Sequence, residues 1–392
     1  MRRTAALQGV RMIKFRSVFD RCEAEGLSHM EAAEILGIGE RTFRRWCGRY
    51  RGEGDAGLLD RRLGKPSARR VPAAEAEDVE RLYKERFAGF TAKHFHEHLV
   101  RERGFRWSYT WTKTFLHGRR LIAPAPRRGA HRRKRPRRPL PGMMLHQDGS
   151  RHVWVEGLAA CDLIVTLDDA TGAIYSAFLV TEEGTASTFQ ALLEVFGRHG
   201  LPLSLYTDRG SHYFLTPEAG GKVDRTQPTQ VGRALAQLGV EHIAAYSPQA
   251  RGRSERPFRT LQDRLPKELK LAGVDTLEGA DRYIAEVFVP DYNARFAVPA
   301  EQPGTAFVPV AQETLDEILC VQEERKVGND NTVVFHKLRL QIPESPLRAH
   351  FVRATVKVRR YPDGRHAIFH GPRRIGLYDQ AGAIIHETQK AA

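Results

Sequence analysis

The stretch Leu203-Ser204-Leu205-Tyr206-Thr207-Asp208-Arg209-Gly210-Ser211 reads as a short buried strand running into a polar, glycine-containing turn, with an aspartate where the strand stops. Strands and helices continue to alternate on both sides of it. Upstream, residues 144–155 read as a strand passing through Asp148. Residues 163–167 and 174–180 are apolar, β-branched runs joined by Asp168-Asp169-Ala170-Thr171-Gly172, a hairpin turn in which Asp is favoured for local backbone bonding. Residues 185–199 place Phe189, Leu192, Leu193 and Phe196 on one helical face. Downstream come a helix over 230–238 and a strand over 242–246. Ser247-Pro248-Gln249-Ala250-Arg251-Gly252-Arg253-Ser254-Glu255 then leads into a helix with Phe258, Leu261 and Leu265 inside. Because Pro257 must lie in a first helical turn, Glu255 is expected at the very start of that helix. The order β-β-β-α-β-α-β-α predicts a mixed sheet covered by helices.

Outside this segment the composition changes. The chain has 392 residues, with 62 Lys+Arg against 47 Asp+Glu, a formal charge of +15. Residues 1–140 hold 34 of the basic and 16 of the acidic side chains, so residues 141–392 hold 28 and 31. A polycationic first third followed by a near-neutral remainder points to phosphate backbones, whose counterions are released on binding. With 41% apolar and 28% charged residues the chain is expected to fold, and its length suits two to four domains at ~100–200 residues each. No apolar run approaches the ~18–20 residues of a membrane helix, and Arg2, Arg3, Arg11, Lys14 and Arg16 leave no room for a signal peptide. Cys22, Cys47, Cys161 and Cys320 form no C-x-x-C, which indicates a reducing cytosol rather than a disulfide framework.

In the basic third, Ser28 with Glu31 makes a capping box ahead of the apolar Ala32, Ala33, Ile35 and Leu36. Gly37 ends that helix, Ile38-Gly39 turns, and residues 40–50 give a second helix. Phe43, Trp46 and Tyr50 face inward there, and Arg41, Arg44, Arg45 and Arg49 face outward, the pattern of a helix-turn-helix. Residues 71–122 suggest three further helices. His94, His96 and His98 lie there without cysteines, and alternation by two scatters them around a helix, which speaks against a zinc site. Arg61-Arg62-Leu63-Gly64-Lys65-Pro66-Ser67 resembles a basic linker or a minor-groove arm, and the proline-rich 123–141, with Arg132, Arg133, Lys134 and Arg135, is expected to lie extended along phosphates. The expected organisation is a helix-turn-helix domain over 1–65, a second helical DNA-binding domain over 66–122, a basic Pro/Arg linker over 123–141, a core over 142–310, and a helix plus small β-barrel over 311–392. In the last of these, 311–325 reads as helix, and 332–340, 351–361 and 367–370 as strands.

Three motifs now stand in order: His146-Gln147-Asp148-Gly149-Ser150, Tyr206-Thr207-Asp208-Arg209-Gly210-Ser211, and Ser247-Pro248-Gln249 followed by Gly252 and Glu255. With them the chain resembles the integrase-core transposases of bacterial insertion sequences, relatives of retroviral integrases. Leu167-Asp168-Asp169-Ala170-Thr171-Gly172 and Arg251-Gly252-Arg253-Ser254-Glu255-Arg256 bring it closest to the ISNCY group. The likeness covers nearly the whole chain and implies a multidomain α/β protein: helix-turn-helix units, a central ribonuclease H-like mixed sheet with helices, and a C-terminal small β-barrel.

The residue types suit that chemistry. Phosphoryl transfer sets a nucleophilic and a leaving oxygen amid negative charge; two Mg²⁺ about 3.5–4 Å apart, with Mn²⁺ able to substitute, serve both, and carboxylates are their hard ligands. Asp148 would bridge the ions, Asp208 hold one and Glu255 the other, while Arg251, Arg253, Arg256 and Arg259 grip phosphates. The implied activity is a metal-dependent DDE transposase that binds terminal inverted repeats through residues 1–122, nicks the element ends with water and joins the freed 3′-hydroxyl to target DNA. The implied partners are double-stranded DNA and at least one further copy of the chain, with no membrane, in a bacterial cytoplasm and on the nucleoid. The alternatives are a helix-turn-helix regulator with an inactive core, which has no need of three carboxylates, and a stand-alone nuclease, which has no need of the arginine-rich readers.

Overall fold

The structure, a computed structural model, describes residues 2–24, 26–59, 70–124, 136–218, 221–246, 248–344 and 348–386, and for residues 2–6 and 248–255 the backbone alone. The chain divides into two compact units, 1–81 and 82–392.

The first unit holds α1 (Arg2–Glu23), α2 (His29–Leu36), α3 (Glu40–Glu53) and the single turn α4 (Asp55–Leu58). Ser28 caps α2 as expected: its N–H donates to Glu31 Oε2 at 2.8 Å, its Oγ accepts the Glu31 N–H at 3.3 Å, and Gly37 ends the helix at φ 66°. The long α1 has no counterpart among the sequence-based expectations, because charges dominate its length. Phe15, Val18 and Phe19 nonetheless recur at helical spacing and close a core with Ala32, Ala33, Phe43 and Cys47.

Next, α5 (Ala73–Arg86) runs across the boundary between the units, and α6 (Ala92–Arg103) and α7 (Tyr109–Gly118) complete the three helices expected over 71–122. The sheet then follows in the expected order: β1 (Leu145–His152), β2 (Cys161–Asp168), β3 (Ile174–Val180), α8 (Thr185–His199), β4 (Ser204–Thr207), α9 (Gln230–Gln237), β5 (Glu241–Ala244) and α10 (Pro248–Leu271). Its spatial order is β3-β2-β1-β4-β5; β1, β2 and β3 are antiparallel, whereas β4 and β5 run parallel to β1. On one face, Leu145 and Leu205 pack with Phe189, Leu192, Val231 and Leu235 from α8 and α9. On the other, Leu163, Val165 and Leu167 pack with Phe258, Leu261 and Leu265 from α10. Every residue of β2 is buried, which suits its Leu163-Ile164-Val165 run, and its polar Asp162, Thr166 and Asp168 are buried with it.

One expectation fails at α10. It begins at Pro248, so Pro257 and Pro266 lie inside it and Glu255 lies two turns in rather than at its start. An internal proline costs ~3 kcal/mol. Phe258, Leu261, Leu265 and Leu269 are all buried along the same helix, at ~1.5–3 kcal/mol each, and this burial wins.

After α11 (Leu277–Tyr283), a π-helical turn (Ile284–Phe288) and α12 (Val289–Phe296), the C-terminal part corrects two more readings. The helix expected over 311–325 is a shorter α13 (Gln312–Ile318), because β6 (Val321–Lys326) leaves it to pair with β9 (Thr355–Arg360). The expected strand over 332–340 is a hairpin of β7 (Thr332–Phe335) and β8 (Leu338–Gln341), turned at His336 with φ 50°. With β10 (His366–His370) and β11 (Arg373–Tyr378), β6 and β9 form an open four-stranded sheet, β11-β10-β9-β6. The expected barrel is therefore not closed among the described residues. The separate hairpin buries Val333, Phe335 and Leu340 on Val356, Val358 and Ile368, so apolar side chains rather than edge pairing complete the core. At the head of β6, Gln230 of α9 donates to the Gln322 carbonyl at 2.9 Å and accepts its N–H at 3.0 Å. Arg233 donates to the carbonyls of Ile318 and Cys320 at 3.2 and 2.6 Å. No helix among the described residues is long and apolar enough to cross a membrane.

Candidate functional site

β1 and β4 lie side by side, with Leu145 opposite Leu205 and His146 opposite Tyr206. That pairing stops two residues short of Asp148 on β1 and Asp208 just past β4, and the charges of both aspartates reach the Tyr213 hydroxyl. Both are half-buried. Asp208 Oδ1 accepts the Gly210 N–H at 2.8 Å, which turns the chain off the sheet; a Cβ at Gly210 would stand 3.0 Å from that oxygen.

Tyr213 is buried beside this strand end. Its hydroxyl lies 3.2 Å from Gln147 Oε1 and 3.3 Å from Glu183 Oε1. Burial pushes the phenol pKa well above its usual value, and the charges of Glu183, Asp208 and Asp148 push it further. Three carboxylates thus act on one hydroxyl. Behind β4, His242 Nε2 lies 3.0 Å from Thr207 Oγ1, and burial is the main cause that holds its pKa down at about 3, so the ring is neutral.

Glu183, just past the end of β3, was missed in the sequence. Its N–H donates to Asp162 Oδ2 at 2.9 Å, and a Cβ on Gly149 would collide with its carboxylate. Asp162 is itself buried and holds Glu183 in place. The signal available was Glu182-Glu183-Gly184 between a strand and a helix, and nothing in that string reveals that the chain folds it onto Gly149.

Along the other side of β1, Gln262 Nε2 of α10 donates to Ser150 Oγ at 2.9 Å, and Lys270 Nζ donates to Glu156 Oε1 at 2.9 Å, so α10 runs in the direction of β1. Glu255 precedes Gln262 by two turns, ~10 Å of helix rise, and Asp148 precedes Ser150 on β1. The backbone of Glu255 therefore belongs to the part of α10 that flanks the Asp148 end. Its side chain and those of Arg251 and Arg253 lie outside the described residues; Arg256 and Arg259 are exposed.

Residues 20–67 match the family model described as a helix-turn-helix domain. The chain is 31% identical over 344 residues, 86% of its length and 74% of the relative's, to y4bF of Sinorhizobium fredii, which bears a transposase name. It is also 26% identical to the transposase for insertion sequence IS1202 of Streptococcus pneumoniae, over 82% of this chain and 76% of that one. The chain belongs to the transposases of insertion sequences. Among solved structures, it shares 20% identity with the HTLV-2 integrase catalytic core domain in complex with magnesium, over 37% of this chain and 85% of that one, at a TM-score of 0.29. That distant likeness carries none of the reasoning that follows.

In the transposase, the helix-turn-helix match takes in α2 and α3. Arg41, Arg44 and Arg45 are exposed on α3 and Arg49 is half-buried; Arg44 Nη2 meets Glu40 Oε1 at 2.5 Å. Arg61, Arg62, Arg132, Arg133, Lys134 and Arg135 lie outside the described residues. At the end of the linker, Arg137 Nη1 donates to the Asp169 and Ala170 carbonyls at 3.3 and 3.2 Å and the backbone N–H of Arg138 donates to Asp169 Oδ2 at 2.8 Å, with both residues exposed. Of the three histidines, His94 and His98 share a face of α6 and meet Glu268 of α10, while His96 Nδ1 lies 3.0 Å from Thr112 Oγ1. The alternation by two hid a pair at i, i+4. All four cysteines are free thiols.

Proposed function

We propose that the transposase cuts DNA at the ends of its element and joins them to a target through a divalent-metal centre held by Asp148, Asp208 and Glu255. One observation supports this reading: β1 and β4 pair in parallel through His146 and Tyr206, each two residues ahead of an aspartate, Asp148 and Asp208. Carboxylates that share a site repel each other, and a hard cation relieves that repulsion. The donor set, all oxygen and all anionic, suits Mg²⁺, with Mn²⁺ as a substitute. Two such ions, when bound, would polarise the scissile phosphate and lower the pKa of the attacking water or 3′-hydroxyl.

The chain's own residues do the rest. Asp208, fixed by the Gly210 N–H, presents its carboxylate rigidly. Glu183 and Tyr213 hold the β1 side of the site, and Arg256 and Arg259 offer charge to the DNA backbone. Arg41, Arg44, Arg45 and Arg49 on α3 would read the terminal inverted repeats, with Arg61, Arg62, Arg132, Arg133, Lys134 and Arg135 gripping phosphates alongside. Acting on two ends calls for at least a dimer on DNA, in the bacterial cytoplasm and at the nucleoid.

The test is Asp208→Asn. Mg²⁺-dependent joining of a pre-cut repeat end to plasmid should fall beyond detection while gel-shift affinity for the repeat is kept; retained joining refutes the assignment. In the same assay Arg44→Ala with Arg45→Ala should weaken repeat binding and make the slope of log affinity against log salt shallower by about one for each phosphate no longer neutralised. Unchanged affinity would remove α3 from the DNA interface.

A further inference from the structure

Glu268 lies inside the fold, remote from the strand-end carboxylates: it stands thirteen residues beyond Glu255 on α10 (268 − 255), ~20 Å along the helix axis. His94 and His98, one turn apart on α6, face it. Glu268 Oε1 lies 2.6 Å from His94 Nε2 and 2.9 Å from His98 Nε2, and all three residues are buried. Their ligand-capable atoms all fall within 4.8 Å of one another, the one such group of three among the described residues.

Proton bookkeeping singles out His98. Its Nδ1 lies 2.7 Å from Glu102 Oε1, an oxygen that can only accept, so that contact needs a proton on Nδ1. Nε2 faces Glu268 at 2.9 Å, and Arg101 Nη2 lies 3.0 Å from the same Nδ1. With a metal ion bound, Nε2 would give its lone pair to the ion and Nδ1 would keep a proton for Glu102, the arrangement in which a carboxylate orients a metal-bound histidine. His94 Nδ1 stays buried without a partner under either account. Two imidazoles and one carboxylate are a zinc donor set. The surrounding seam is also polar, since Glu97 Oε2 of α6 takes Arg264 Nη1 of α10 at 2.6 Å and Arg295 Nη1 of α12 at 2.7 Å. Buried ion pairs alone give little net stability.

We propose that His94, His98 and Glu268 form a zinc site, distinct from the strand-end carboxylates, that fastens α6 to α10. A water would complete the tetrahedron on the side where the Tyr283 hydroxyl lies 3.4 Å from Glu268 Oε2. Because each Nε2 must be a bare lone pair to ligate, uptake releases the protons these nitrogens carry in the metal-free protein.

The experiment uses the untagged full chain carrying Asp148→Asn and Asp208→Asn, so that the strand-end carboxylates bind no probe ion. Stripped with chelator and titrated with Co²⁺, it should take up one equivalent with visible bands of tetrahedral cobalt, and one equivalent of Zn²⁺ should erase them. Glu268→Gln in the same background keeps the side-chain size; it should retain its circular dichroism and bind Co²⁺ at least 10-fold more weakly. Zn²⁺ should raise the melting temperature of the first protein and leave that of Glu268→Gln where it was. Absence of bands in the first protein overturns the proposal, as does Co²⁺ binding by Glu268→Gln with unchanged affinity. The first protein's uptake is read alone, so failure of Glu268→Gln to fold passes the comparison to His94→Ala with the same two outcomes.

Discussion

The hairpin turn at Asp168 and Asp169 and the strand end at Asp148 and Asp208 put two aspartate pairs on one sheet, and their surroundings differ. Asp168 is wholly buried; Oδ1 accepts the Gly142 N–H at 3.0 Å, and Oδ2 accepts the Thr171 N–H and hydroxyl at 2.8 and 2.9 Å. Asp169, also buried, holds His146 Nε2 at 2.9 Å and the Arg138 N–H. The strand-end pair is half-buried, and Asp208 Oδ1 accepts the Gly210 N–H at 2.8 Å. A carboxylate whose oxygens are taken up by backbone donors is part of the scaffold. One at a strand end, with a second aspartate on the neighbouring strand, offers oxygens of the kind a hard cation takes.

The contrast can be broken experimentally. The largest difference should come from comparing Asp148→Asn with Asp168→Ala. The first should lower strand joining by on the order of 10³-fold, the several kcal/mol that a metal centre supplies, with thermal unfolding unchanged or at higher temperature. The second should cost about 3 kcal/mol by denaturant unfolding, since the N–H groups of Gly142 and Thr171 would be left without their buried acceptor. If Asp148→Asn unfolds the protein and Asp168→Ala does not, the two roles are reversed. A smaller effect is expected from Gly149→Ala, whose methyl must displace the Glu183 carboxylate. Joining should fall about 10-fold, as misplacement near a reacting centre does, while the circular dichroism spectrum stays that of the parent; parental activity would dismiss Glu183 as a positioning residue.

The smallest effect concerns a third kind of aspartate. Asp281 accepts the Leu179 N–H at 2.7 Å, yet its pKa is raised to about 6, first by burial and then by Glu194 and Glu278. A raised carboxyl pKa means that the folded state binds the proton more tightly. Stability from this group is therefore full below about pH 4, the ordinary Asp value, and is lost as pH rises through 6. Asp281→Asn, which keeps the acceptor oxygen, should gain about 1 kcal/mol at pH 7.5 after allowance for solvent screening and nothing at pH 4. A gain of equal size at both values would exclude the titration.

Much of the sheet could be read from the sequence because its signals are local. The run of α8, the turn at Asp168 and the strand that leads to Asp208 are each written in a dozen residues. What could not be read depends on distance or on competing terms. Pro257 argues locally for a helix start, and only the buried row Phe258, Leu261, Leu265 and Leu269 overrules it. Glu183 gains its meaning from Gly149, and His94 and His98 from Glu268, 174 and 170 residues away. The barrel was inferred from strand count, which says nothing of whether β6 and β11 meet.

The double bond of Gln230 to Gln322, with Arg233 on the carbonyls of Ile318 and Cys320, also bears on how this molecule can be taken apart. Leu315, Leu319 and Val321 fill the same apolar cluster as α8 and α9, so the final sheet is not a detachable cassette. Any graft that exchanges it between relatives has to carry α9 along, or leave both cut surfaces greasy and their amides thirsty.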